Sequence, residues 1–305
     1  AQNAVSNKRQ ILVATHNTDL ILGALSAASN ISICRVDRIE TINYCSSVSN
    51  TILASEWSKP LLKSSNTVNG ISHSVVIVCE ADSDCRFYES ILRILENEDG
   101  NTLPLADFYL THGGGKGEIS TLVNFYKSLN IPVVAITDFD VLNTRGEFKN
   151  IYESFNGLFL DIQSEFDETI RLLDEKPRIL ALSDAIAELR TLLDNVEASQ
   201  EMTNENKSSI SDLLSQSSKW SKTKKYGINN PDLDKIAIEK SKALLEKCAR
   251  KGIFITPVGE LESWQENGYG KKNWLKKALK DLSEDVNSFS EAKAFMKSIC
   301  EFLLK

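Results

Sequence analysis

Three short acidic stretches carry most of the chemistry this chain can offer. Val75-Val-Ile-Val-Cys-Glu80-Ala-Asp-Ser-Asp84 is an apolar run ending in acids, and Ile131-Pro-Val-Val-Ala-Ile-Thr-Asp138-Phe-Asp140 is built the same way. Gly252-Ile-Phe-Ile-Thr-Pro-Val-Gly-Glu260-Leu-Glu262 repeats the pattern further on. Buried parallel strands that end in acids deliver them to the edge where ligands of open α/β sheets gather. Carboxylates crowded into one crevice repel each other unless a cation neutralises them. Hard carboxylate oxygens suit Mg²⁺ or Mn²⁺. Asp138 and Asp140, two apart on an extended segment, would point the same way with Cα atoms about 6–7 Å apart. Glu80 would complete the shell of an ion shared with that pair. Asp84, with Glu260 or Glu262, would hold a second. Two ions about 3.5–4 Å apart would stabilise the attacking and leaving oxygens of a phosphodiester cleavage.

The elements that must position these acids are legible from periodicity. A helix is expected from Asp84 to Glu98, with Phe87, Ile91, Ile94 and Leu95 at core-facing spacing. A short strand follows over Asp107–Thr111, then the loop His112-Gly-Gly-Gly-Lys-Gly-Glu118 and a helix ending near Asn130. The third strand, Ile131 to Thr137, completes a βαβαβ unit with right-handed crossovers. Ahead of it, residues 10–25 read as strand, turn and helix, with N-cap residues in Thr15-His16-Asn17-Thr18. Residues 31–40 alternate like a strand, and 41–70, rich in Ser, Thr and Asn, read as connecting structure. From about 150 to 250 the chain turns helical and polar, with amphipathic stretches at 170–173 and 179–193 and a helix over Lys240–Lys251. A fourth strand is expected at Gly252–Thr256.

Composition narrows the class. The 305 residues are 42% hydrophobic and 25% charged, as in soluble globular proteins. No apolar run reaches the roughly 18 residues of a membrane span, and residues 1–9 lack the apolar core of a signal peptide. Six scattered cysteines show no paired metal-ligand spacing, which predicts reduced thiols in a cytoplasmic protein. A net charge of −7 argues against wholesale coating of nucleic acid but leaves room for a local basic surface. The densest basic run, Lys271-Lys-Asn-Trp-Leu-Lys-Lys-Ala-Leu-Lys280, follows the Glu260/Glu262 element. Lys272, or its neighbour Lys271, is the candidate to neutralise a phosphate or a leaving oxyanion. Gly113-Gly-Gly-Lys-Gly117 is not a Walker loop, because Gly117-Glu118 stands where a Ser or Thr would have to reach Mg²⁺. It reads as a flexible turn that lets backbone approach the acidic crevice, with Lys116 within reach of a DNA phosphate.

Glu80-Ala-Asp-Ser-Asp84, the turn His112 to Glu118 and Thr137-Asp-Phe-Asp140 together resemble a TOPRIM domain, the metal-binding fold of topoisomerases, primases and the overcoming-lysogenization-defect (OLD) nucleases. The usual opening is Glu-Gly, and here it is Glu80-Ala81, a mild departure that tightens the loop. The spacing to Asp84 and the later strand ending in Glu260 and Glu262 resemble the OLD group in particular, where an acid downstream of D-x-D supports the second metal. The resemblance carries that role to Glu262, with Glu260 as the near alternative. Residues 11–19 resemble the last strand and switch histidine of an ABC-type ATPase head, which makes His16 the expected γ-phosphate sensor. No G-x-x-x-x-G-K-[ST] occurs, so ATP is expected to matter only in a full-length context with an N-terminal ATPase half, which usually pairs into a homodimer or higher assembly. The implied fold class is α/β: a TOPRIM-like Rossmannoid domain over 69–305 with a mainly parallel sheet and a helical insertion at about 151–250, preceded over 1–68 by a remnant of an ABC-type ATPase domain and a linker. The implied function is a Mg²⁺- or Mn²⁺-dependent DNA endonuclease, with RNA as the other possible substrate, serving defence against phage or plasmids. Its rival is a non-catalytic regulatory or assembly module of an ATPase.

Overall fold

The computed structural model describes residues 11–27, 31–48, 65–98, 104–174, 220–265, 271–285 and 287–304, with a few isolated positions between 186 and 210. The apolar runs read as buried strands become Val75–Cys79 (β3), Phe108–His112 (β4), Val133–Thr137 (β5) and Ile253–Ile255 (β6). They form one parallel sheet in the order β4-β3-β5-β6. A second, two-stranded antiparallel sheet pairs Ile33–Ile39 (β1) with Ile42–Val48 (β2).

Alternation along β3 explains why both faces of the large sheet are covered. Val76 and Val78 point into one core with Leu122, Val123 and Tyr126 of the helix Ile119–Ser128, and with Phe148 and Phe166 of the helices Arg145–Ser154 and Gln163–Leu173. Val75, Ile77 and Cys79 point into the other, against Phe87, Tyr88 and Ile91 of Asp82–Glu98 and against Trp274 and Met296 of Lys271–Glu284 and Ser290–Leu303. In chain order, with Thr18–Ala27 as α1 and Ser65–Asn69 as α2, the helix over Asp82–Glu98 is α3 and that over Ile119–Ser128 is α4. Arg145–Ser154 is α5, Gln163–Leu173 α6, Ser221–Tyr226 α7, Lys235–Ala249 α8, Lys271–Glu284 α9 and Ser290–Leu303 α10. The helix leaving β3 packs on one face and the helix leaving β4 on the other. The gap between β3 and β5 is therefore the point where the strand order reverses, and a crevice opens there beyond the carboxyl ends of the strands.

Four local expectations change. Residues 11–17 form no strand: Ile11, Leu12 and Val13 are exposed, and no strand among the described residues pairs with them. A strand needs a neighbour to satisfy its backbone, whereas the helix after it needs only its cap. That cap is present, since Leu20 N–H donates to Asn17 Oδ1 at 3.0 Å. Residues 42–48 are not a connector but the second arm of the hairpin. Cys34 and Cys45 lie on the same face of that hairpin, their Cα atoms 6.4 Å apart, and are joined as a disulfide. Only Cys79, Cys85, Cys248 and Cys300, all buried, match the expected free thiols. Finally, Phe139–Asn143 is a 3₁₀ turn, so Asp138 is the last extended residue and Asp140 is swung into position by the turn rather than by strand alternation. The amphipathic stretch at 179–193 lies almost wholly outside the described residues. No helix among those described is long and apolar enough to cross a membrane.

Candidate metal centre

Glu80 follows the last residue of β3, Asp138 the last residue of β5, and Glu260 a four-residue turn after β6. The three acidic stretches thus meet at the crevice edge because the strands that carry them are adjacent and parallel. Asp84 joins them from the first turn of α3, where it is 8% exposed. A backbone frame holds the acids: Asp138 N–H donates to Glu80 Oε1 at 2.9 Å, and Ala81 N–H donates to Asp84 Oδ2 at 2.8 Å. The strand-end segment of β6 is tied in by Thr256 N–H to Thr137 O (2.8 Å) and by Phe139 N–H to Gly259 O (3.0 Å).

Electrostatically the crevice has two halves. Burial pushes the Glu80 carboxyl up to about 7; the Asp138 amide opposes this, the charges of Asp140 and Asp84 add to it, and Lys116 offsets it least. Burial likewise raises Asp84 to about 6, against the Ala81 amide and with the Glu262 charge. Asp138 is held well above the carboxylate range by burial, then by the charges of Glu80, Asp84, Asp140 and Glu260. Asp140 goes the other way. Burial alone would raise it, but Lys224 and Lys116 together outweigh that, and its carboxyl ends below the ordinary value. Lys116 Nζ lies 3.2 Å from Asp140 Oδ1, and Lys224 Nζ lies 3.0 Å from Asp140 Oδ2 and 3.5 Å from Glu260 Oε1. The Asp140 bond in turn holds the Lys224 ammonium above its usual range.

Among the described residues no three His, Cys, Asp or Glu side chains converge as a ready-made ligand set. Glu80 and Asp84 instead point oxygens at backbone amides, and Asp140 at lysines. The donor chemistry still fits a hard divalent ion. Glu80, Asp84 and Asp138 make no ion pair with a lysine or arginine among the described residues, and Thr137 Oγ1, immediately before Asp138, is buried without a hydrogen-bond partner. Carboxylates that burial drives toward their protonated forms are the groups that gain most from a cation.

The sequence candidates fall unevenly on this geometry. Glu80, Asp84, Asp138 and Asp140 come together. Glu260, 7% exposed, reaches the Asp140 half, and Glu262 lies close enough to Asp84 for its charge to act there. Lys116 is placed on Asp140 rather than in solvent. The Lys271 and Lys272 side chains lie outside the described residues. His16 sits exposed on the segment before α1. Sequence reading gave Lys224 no role; the basic run Lys222-Thr-Lys224-Lys225 ahead of Gly227 was its only signal.

Residues 73–140 match the family model described as "Overcoming lysogenization defect protein-like, TOPRIM domain". The match spans the sheet edge from before β3 through Asp140 and so includes Glu80, Asp84 and Asp138. This segment is thus similar to OLD-like TOPRIM domains, which are generally divalent-metal-dependent nuclease or primase modules. No curated protein and no solved structure matches the chain.

Proposed function

We propose that the chain is the nuclease module of an OLD-like ATPase–TOPRIM protein, hydrolysing DNA phosphodiesters with Mg²⁺ or Mn²⁺. The observation that carries this reading is the half-crevice of Glu80, Asp84 and Asp138: one buried and two partly buried carboxylates at a topological switch point, delivered by separate elements, with no described lysine or arginine paired to any of them. Such a trio is costly to fold without a cation and is well placed to hold one. Bound there, a divalent ion would polarise a phosphoryl oxygen and lower the pKa of a bound water. Glu80 and Asp138 would be its principal ligands, with Asp84 and Glu262 alongside. Lys116 and Lys224, on the Asp140 side, present ammonium groups to the phosphate oxygens. Lys272 remains a candidate for the same task from α9.

The domain division at about residue 69, the role of His16 toward ATP, pairing through an ATPase half and a part in defence against phage or plasmids belong to the same proposal and rest on the family resemblance. Ion pairing of Asp140 by two lysines favours a second reading, in which the crevice is already neutralised enough to serve as a regulatory or assembly module without catalysis. Cleavage of supercoiled plasmid decides between them. Nicking or linearisation with Mg²⁺ or Mn²⁺, absent with Ca²⁺ and in Asp138→Ala, supports the nuclease. A folded chain that binds Mn²⁺ but cuts neither DNA nor RNA supports the regulatory module.

A further inference from the structure

Within the helical stretch between β5 and β6, the segment that carries Lys224 is seated closely against the β6 wall of the crevice. Gly227, at the end of α7, has φ +56° and lies so close to the β6 segment that a Cβ there would fall 2.0 Å from Pro257 O. Gly259 has φ +107°, and a Cβ on it would fall 2.4 Å from Lys225 O and 2.6 Å from Lys224 O. No residue but glycine fits either position. Ile228 N–H donates to Pro257 O at 2.9 Å, and Ser263 Oγ donates to Lys225 O. Through Phe139 N–H to Gly259 O, the same segment is bonded to the turn that carries Asp140. Three pieces of chain are therefore stitched backbone to backbone, and what the arrangement delivers is the ammonium of Lys224, between Asp140 and Glu260.

This seat has a consequence for how many ions the crevice takes. Asp140 offers one oxygen to Lys116 and the other to Lys224, and a Glu260 oxygen faces Lys224 as well. A divalent ion using Asp140 and Glu260 would have to sit against the Lys224 ammonium at contact range, beside two carboxylates that are mostly buried. On the other side Glu80, Asp84 and Asp138 form no ion pair with a lysine or arginine among the described residues, Lys116 acting on Glu80 only weakly, and Glu262 is near Asp84.

We propose that Lys224 is the site's second positive charge: the crevice binds one divalent ion, on the Glu80–Asp84–Asp138 side, and the Lys224 ammonium occupies the place that a second ion would take between Asp140 and Glu260. This rests on the metal reading above and deepens it. It also gives the 220–229 segment a task, which is to bring a permanent cation to the phosphate. It differs from the two-ion arrangement expected from the sequence in giving the second place to a lysine of the insertion.

Counting bound Mn²⁺ by the loss of free-ion EPR signal tests this without reference to cleavage. The whole chain is titrated as wild type, Lys224→Met and Lys224→Arg. Lys224 is about half exposed, so the neutral, similarly long methionine is tolerated, and thermal melts of all three confirm folding. The expected result is one ion per chain for wild type and Lys224→Arg, and a second, weaker ion for Lys224→Met. Two ions on the wild type, or one on Lys224→Met, would overturn the proposal while leaving the metal reading standing. A wild type that binds none overturns the metal reading and this proposal with it.

Discussion

The two halves of the acidic crevice are made of the same side chains and behave in opposite ways. Glu80, Asp84 and Asp138, buried or partly buried, have no ion-pair partner among the described lysines and arginines and are pushed toward protonation, whereas Asp140, also partly buried, is pulled below its ordinary range by two lysines. The difference is not residue type or depth but who supplies the positive charge. In one half the chain itself does so, through Lys116 and Lys224. In the other half no described lysine or arginine forms an ion pair, Lys116 acts on Glu80 only weakly, and a bound cation would supply the charge. A cluster of acids therefore does not by itself mark an ion site; the acids that the fold leaves unneutralised do.

The strongest way to break this comparison is to remove the anchor of the cation-free half. Asp138→Ala should reduce Mg²⁺-dependent plasmid cleavage by about 10³-fold or more, the scale at which lost metal stabilisation of a transition state is felt. Equal activity in the mutant would move the chemistry elsewhere. The next effect is on stability, and its sign differs between the halves. Glu80 has a folded pKa of about 7 against an ordinary 4.5, so it binds a proton more tightly folded than unfolded. Its stabilising contribution is complete below about pH 4.5 and is lost as pH rises through 7, on the order of 3 kcal/mol. Asp84 adds a loss in the same direction, ending near pH 6. Asp140, lowered, contributes above the ordinary 3.8 and loses that only as pH falls through its folded value. Urea unfolding in EDTA should thus weaken from pH 4.5 to 7, and Mg²⁺ should restore stability at the neutral end. A flat profile in EDTA, or one rising with pH, would contradict the assignment of Glu80.

A smaller contrast comes from paired isosteric changes. Asp138→Asn removes a carboxylate that no described lysine or arginine pairs with, and should raise the melting temperature of the metal-free protein while weakening Mn²⁺ binding. Asp140→Asn removes the anion between two ammonium groups and should lower it, each by about 1–2 kcal/mol in stability. Calorimetry in EDTA reads both, and shifts of the same sign would erase the distinction between the halves.

Much of this was legible before any coordinates. The four strands of the parallel sheet, the helices over Asp82–Glu98 and Ile119–Ser128, and the convergence of Glu80 with Asp138 follow from apolar runs that end in acids, because a parallel sheet gives all such ends to one edge. What sequence patterning could not reach depends on long-range contact. Lys224 comes to Asp140 from 84 positions away through a backbone contact at Gly227 and Gly259, and no local periodicity reports that. The strand expected over residues 11–15 failed for the converse reason: its apolar residues carry a strand signal, but a strand is completed by neighbours that local composition does not contain. The hairpin arm at 42–48 was missed because its Ser and Asn residues are common in turns and its pairing with Ile33–Ile39 is not written in its own composition.

The last effect concerns what keeps the halves in register. Tyr88, one helical turn beyond Asp84 and fully buried, accepts from Trp264 Nε1 at 3.1 Å, and its hydroxyl lies 3.4 Å from Thr256 Oγ1. These bonds join α3, which carries Asp84, to the 256–264 segment, which carries Glu260 and Glu262. Tyr88→Phe keeps the ring in its core with Phe87 and Phe295 but leaves the buried Trp264 N–H without its acceptor, at a cost of about 1–3 kcal/mol. If the hydroxyl only packs, Mn²⁺ affinity stays unchanged and the melting temperature alone falls. If it sets the distance between Asp84 and Glu262, affinity drops several-fold as well, while Phe295→Leu, which disturbs the same core without touching the hydrogen bonds, lowers the melting temperature and spares the affinity. The two variants together separate a crevice held by general packing from one whose cation-free half is positioned by a single buried hydroxyl.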